Sequence, residues 1–149
     1  MTDISYYHIQ KQAVEVALAQ LMERVIASGK RAVIRAPGEA MVSQIDDVLW
    51  SYDPDSFLPH GTAKTGFAED QPIYITDGDD NPNRAEILVL VNEVSDDGLQ
   101  DYERCLYLFD GRSEMITSLA RKRWTSHKEA GHAMTYWMQS ESGQWQKKQ

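Results

Sequence analysis

Apolar and polar positions recur along this chain with two different periods, and the switches between them predict its elements. ISYYHI (Ile4–Ile9), rich in β-branched and aromatic residues, predicts a first strand. From Gln10 to Ser28 the period lengthens. Val14, Leu18, Leu21, Met22 and Val25 recur three and four apart, and Gly29 supplies a stop, which predicts a helix. RAVIR (Arg31–Arg35) is a short strand, and Pro37 suits the first turn of a second helix with the stripe Met41, Ile45, Val48 and Leu49. PIYIT (Pro72–Thr76), AEILVLVN (Ala85–Asn92) and RCLYLFD (Arg104–Asp110) read as strands, the second apolar enough for the centre of a sheet. Ser113 to about Gly131 predicts the last long helix, AMTYWMQ (Ala133–Gln139) a closing strand, and a polar tail follows from about residue 140. Asp53–Gln71 and Asp77–Arg84 lack periodicity and read as turn-rich loops.

Strands alternating with helices imply an α/β fold, a three-layer α/β/α arrangement around an open, mostly parallel sheet. At 149 residues the chain fits one domain, 1–149. An apolar content of 42% with 26% charged residues is ordinary for a soluble protein. The start, MTDISYYHIQ, lacks the basic and apolar regions of a secretory signal, and the single Cys105 fits a reducing compartment, so a cytoplasmic location is expected. In RCLYLFD, Cys105 reads as a small hydrophobe in a buried strand.

Charge changes the picture. The chain carries −8 overall, yet residues 112–149 hold 7 Lys/Arg against 3 Asp/Glu, whereas residues 1–111 hold 8 against 20. An acidic majority repels phosphate and argues against nonspecific duplex binding, so the basic segment SLARKRWTSHKEAGH (Ser118–His132) points to another anionic partner. At ~100° per residue, Ile116, Leu119, Ala120 and Ala130 form a stripe facing the sheet, with Arg123 and His127 on its angular sector. Those two are expected to reach past the sheet's end or to cap its carbonyls. Thr117, Arg121, Trp124 and Lys128 border the stripe, while Lys122, Ser126 and Glu129 face water. Two cations flanking an indole can receive a short acidic peptide that ends in a hydrophobic side chain. Equally, Trp124 can tuck into the core edge with its cations solvated.

GTAKTG (Gly61–Gly66) differs from a phosphate loop, because Lys64 precedes the final glycine and no strong strand leads into it. Asp77 and Asp79 follow a strand and can hold magnesium for a phosphohydrolase or nucleotide-binding enzyme, or simply form a solvated turn. His127 and His132 are five apart, and no metal-ligand spacing accompanies His8 or His60. No cofactor is expected. In LWSYDPDSFLPHG, the aromatics Trp50, Tyr52 and Phe57 serve either as core lids or as interface anchors.

Taken together, SGKRAVI, LWSYDPDSFLPHG, RAEILVLVNEV, RCLYLFDG and ARKRWTSHKEAGHAMTYW resemble, in order and at length, the chi subunit family of bacterial DNA polymerase III holoenzyme. That resemblance implies a noncatalytic α/β/α subunit of the replication machinery. It would link the clamp loader, through the psi subunit, to the acidic, phenylalanine-ended C-terminal tail of single-stranded DNA-binding protein, with no specific DNA binding of its own and no membrane. It also implies tail contacts at Arg121, Trp124, Thr125 and Lys128, and a psi-facing surface at Trp50 and Phe57. The family often has a basic residue where Thr125 stands and an aromatic where His127 stands, which implies fewer charges in this pocket.

Overall fold

The computed structural model describes residues 2–51, 53 and 58–149. Eight strands form one sheet: β1 (Asp3–Ile9), β2 (Ala32–Arg35), β3 (His60–Thr62), β4 (Ile73–Thr76), β5 (Ile87–Val91), β6 (Arg104–Asp110), β7 (Ala133–Gln139) and β8 (Trp145–Lys147). Their order is β3-β4-β2-β5-β6-β1-β7-β8, parallel throughout except for the β7–β8 pair. The helices are α1 (Val14–Ala27), α2 (Glu39–Ser51) and α3 (Glu114–Glu129). Packing of α1 and α2 against one face and α3 against the other gives the expected three layers.

Side chains alternate across a strand, so the register decides what each face is made of. Tyr6 pairs with Tyr107 of β6 and Tyr136 of β7, placing three tyrosines in one row on the α3 face. The next residue, Tyr7, pairs with Leu108 and Trp137 and starts a row on the α1 face. The β5 run ILVLV is buried at every position, as a strand covered on both sides must be.

Several boundaries differ from expectation for identifiable reasons. Helix α1 begins at Val14, because the amides of Gln10 and Lys11 donate to the Gln139 side-chain oxygen at 3.1 and 3.0 Å instead of entering a helix. Pro37 lies ahead of α2 and not in its first turn, since Gly38 (φ +103°) turns the chain between them. Strand β5 stops before Asn92, which adopts φ +56° and caps the next strand by accepting from the Asp110 amide at 2.9 Å. The stretch read as a loop from Asp53 to Gln71 contributes the edge strand β3, whose three residues pair only through β4. The stretch expected as a polar tail turns back after Ser140, where residues 145–147 pair with β7 as β8. Strand β7 therefore does not close the sheet.

Candidate functional site

Helix α3 is cut cleanly at both ends. The Ser113 hydroxyl accepts from the Ile116 amide at 3.3 Å, and Gly131, at φ +89°, takes the left-handed turn after the Ala130 cap. The acidic residue Glu114 stands in the first turn and Lys128 in the last, which complements the helix dipole.

Thr117, Ala120 and His127 are the buried residues of α3, with Ile116, Leu119, Arg123 and Trp124 partly covered, while Ala130 is exposed. The inner face is thus turned by roughly 40° from the apolar stripe toward Thr117 and Trp124. The row of tyrosines beneath explains the turn. The Trp124 ring meets Tyr6 edge-on at 5.2 Å and Tyr136 at 5.5 Å, so the indole follows the aromatic row.

Arg123 and His127, on the stripe's own sector, do face inward, but they turn to Asp96 instead of reaching past the sheet's end or capping its carbonyls. His127 Nε2 lies 2.8 Å from Asp96 Oδ2, and Nδ1 lies 2.8 Å from the Tyr6 hydroxyl. A carboxylate can only accept, so Nε2 donates to Asp96 and Nδ1 accepts from Tyr6. The Arg123 guanidinium lies over the Tyr107 ring at 5.3 Å, with Nε 4.0 Å from Asp96. The His127 hydrogen bond, aided by the Arg123 charge against the opposing effect of burial, holds the Asp96 carboxyl below its ordinary range. Tyrosine, histidine and aspartate in series resemble an acid–base relay, but Tyr6 is 0% exposed and its hydroxyl is pushed far above its ordinary range, chiefly by burial. No substrate reaches it. This chain of bonds pins α3 to the 93–98 segment.

On the outer side of Trp124 lies a hollow of about 350 Å³ lined by Arg121, Trp124, Thr125, Tyr136 and Gln149. Its back wall is fixed by β7: the Tyr136 amide donates to Gln149 at 3.2 Å, and the Tyr136 hydroxyl meets His8 Nδ1 at 2.8 Å. His8 is lowered from its ordinary pKa by burial and then by the Arg121 charge, so Arg121 acts electrostatically on this wall. Three of the residues carried by the resemblance, Arg121, Trp124 and Thr125, therefore share one hollow. Lys128 is exposed on the same helix but outside its walls. Tyr136 and Gln149 were missed, although the two-residue period of AMTYWMQ puts Met134, Tyr136 and Met138 on one face.

The chain matches the family model described as DNA polymerase III chi subunit over residues 1–135. It belongs to the DNA polymerase III chi subunit family. A probable DNA polymerase III subunit chi of Rickettsia prowazekii is 33% identical over 92 residues, which are 62% of this chain and 56% of that protein. The DNA polymerase III subunit chi of Haemophilus influenzae is 27% identical over 74% of this chain and 77% of its own length. That of Escherichia coli is 26% identical over 80% of this chain and 81% of its own. From Tyr136 onward, β7, the turn after it and β8 lie beyond the family match, so Tyr136 and Gln149 are walls that the match does not cover.

The remaining candidates separate. Trp50 stands 54% exposed at the end of α2, with its ring 4.4 Å from that of His60, while Phe57 and Tyr52 lie outside the described residues. Asp77 borders a hollow with Glu39, Asp46 and Lys64, whereas Asp79 borders a different one with Arg35, Asp97 and Asp101. The structure does not bring the two aspartates into one hollow, and among the described residues no group of three or more His, Cys, Asp or Glu side chains is arranged to hold a metal ion. Within GTAKTG, Lys64 pairs with Glu39 at 3.2 Å, and the Thr65 hydroxyl donates to the Thr62 carbonyl at 2.9 Å, closing a turn on itself. Cys105 is fully buried and its thiol is pushed up to about 12, chiefly by desolvation, which fits a packing role. Among the described residues no helix is long and apolar enough to cross a membrane.

Proposed function

We propose that this chain is a noncatalytic linker of the replication machinery, one domain that holds the acidic, phenylalanine-ended tail of single-stranded DNA-binding protein in the Arg121–Trp124 hollow. The observation that carries the reading is the position of an exposed guanidinium beside a half-buried indole, on the one strongly basic helix of an acidic chi-family chain. The guanidinium takes a carboxylate through paired donors, and the indole and Tyr136 supply apolar contact for the terminal side chain. Thr125 adds a hydroxyl and no charge; its Oγ1 already donates to the Arg121 carbonyl at 3.3 Å. Charge recognition in this hollow therefore rests on Arg121. Binding is correspondingly modest and salt-sensitive, and it gains strength where many tails are displayed along one coated strand. The exposed Trp50 end of the molecule, with Phe57, supplies the second contact, toward psi and through it the clamp loader, in a cytoplasmic complex.

Calorimetric titration with an acidic peptide ending in phenylalanine tests the tail site. Arg121→Ala is expected to weaken binding by about 1–2 kcal/mol, the range of a charge-assisted contact. Unchanged affinity in that variant rejects the site.

A further inference from the structure

A second cationic hollow lies on the opposite face of the sheet. It has a volume of about 420 Å³, within the ~300–1,000 Å³ range of small-ligand pockets, and it opens beneath the last turn of α1. Its rim draws Arg24 from α1, Lys30 from the turn before β2, Arg104 from the start of β6 and Lys147 from β8, against the single acid Asp3. Lys30 is engaged by Glu103 at 3.1 Å, and Arg104 lies 3.4 Å from the Ser5 hydroxyl. Arg24 and Lys147 make no ion pair among the described residues. On a molecule of net charge −8, three cations left for a ligand around one concavity are a local reversal of sign.

The floor is aromatic. The Trp137 and Tyr7 rings stack at 6.4 Å with 7° between their planes, and Trp145 meets Tyr7 edge-on at 5.3 Å. Trp137 is only partly buried and borders the hollow. The Tyr7 hydroxyl is raised by burial, while Arg104 and Arg24 pull it back, so both charges act on this floor.

We infer that this hollow binds a nucleotide unit of single-stranded nucleic acid, with its base against Trp137 and its phosphates between Arg24, Arg104 and Lys147. A flat indole flanked by separate cations from three elements suits a chain of phosphates with stackable bases better than one terminal carboxylate, which a single guanidinium would satisfy. Recognition is independent of sequence, because every base has a face to stack. The negative remainder of the molecule opposes binding, which is therefore weak and seen at low salt. Tyr136 and Trp137, adjacent in β7, point to the two hollows on opposite faces, so strand and tail peptide can be held at once.

The test is fluorescence anisotropy of a labelled oligothymidylate of about fifteen nucleotides, titrated with the full chain over a range of salt. Saturable binding is expected, with a slope of log affinity against log salt of about −2 for three phosphate contacts. Arg24→Glu and Lys147→Glu alter exposed side chains and should each weaken it roughly tenfold with unchanged circular dichroism. Arg121→Ala should leave it unaltered, which separates this site from the tail site. The inference is overturned by no binding at low salt, by binding that survives both charge reversals, or by binding lost in Arg121→Ala. Competition by free thymidine monophosphate, nucleotide for nucleotide, overturns the strand and assigns the hollow to a mononucleotide. Competition by the acidic peptide overturns the nucleic-acid assignment.

Discussion

On the α1 and α2 face the core is mainly aliphatic, built from residues such as Ile9, Leu18, Met22, Ile34 and Leu108, with Tyr7, Trp137 and Trp145 grouped at one end, and two helices close over it. On the other face one basic helix covers Tyr6, Tyr107, Phe109 and Tyr136, and the seal includes His127, Asp96 and Arg123. The contrast separates two ways of holding a helix. The first relies on apolar area removed from water, which is nondirectional and needs no partner geometry. The second uses rings and hydrogen bonds that fix the rotation of α3 about its axis, and that rotation decides whether Trp124 and Arg121 border one hollow. Stability should follow the first face and site geometry the second.

Truncation sharpens this division with the largest effect. Leu18 is fully buried in the aliphatic layer, so Leu18→Ala should lose about 2–5 kcal/mol in urea unfolding while tail-peptide affinity of the folded protein stays the same. Tyr6→Phe removes the bond to His127 and keeps the ring, and should lose only about 1 kcal/mol. A Tyr6→Phe loss equal to that of Leu18→Ala would abolish the distinction between the faces.

Acid acts on the second face selectively. Asp96 has a lower pKa folded than unfolded, first because His127 donates to it. A depressed carboxylate adds stability above its unfolded value, about 3.9, and loses it as pH falls through the lower folded value. Unfolding free energy should therefore decline more steeply below about pH 4 in the natural chain than in Asp96→Asn, which has no charge there to titrate. Neutral-pH stability should also drop in the variant, by on the order of 1–3 kcal/mol. Parallel pH curves for the two proteins would show that the carboxylate is not what pins α3.

The same contrast explains what could be read from the residues alone. Strands β6 and β7 have the limits expected from their apolar and aromatic runs, and the α1 stripe is the buried one, because local period and burial agree there. The inner face of α3 is offset from its apolar stripe because aromatic rings on three strands draw Trp124 toward them, while Ile116 and Ala120 of the stripe still pack beneath the helix. HGT carries no alternation of its own, and becomes β3 only through its register with β4. Arg121, Trp124 and Thr125 lie within five residues of sequence, so helical pitch alone brings them together. The second hollow was invisible by the same measure. Its cations come from residues 24, 30, 104 and 147, which only the sheet order makes neighbours.

The smallest effect tests that helical reading. Pitch alone places Lys128 in the sector of Arg121 and Trp124, yet it stands one turn beyond the hollow, exposed and without a wall position. A cation in that place helps only through partly screened attraction, worth a few tenths of a kcal/mol to about 1 kcal/mol at low salt. Lys128→Ala should therefore weaken the acidic peptide less than Arg121→Ala, and the difference between them should persist as salt is raised, because the Arg121 contact is a directed hydrogen-bonding one. If both substitutions act equally at every salt concentration, the peptide extends along the last turn of α3 and the binding surface is longer than the hollow.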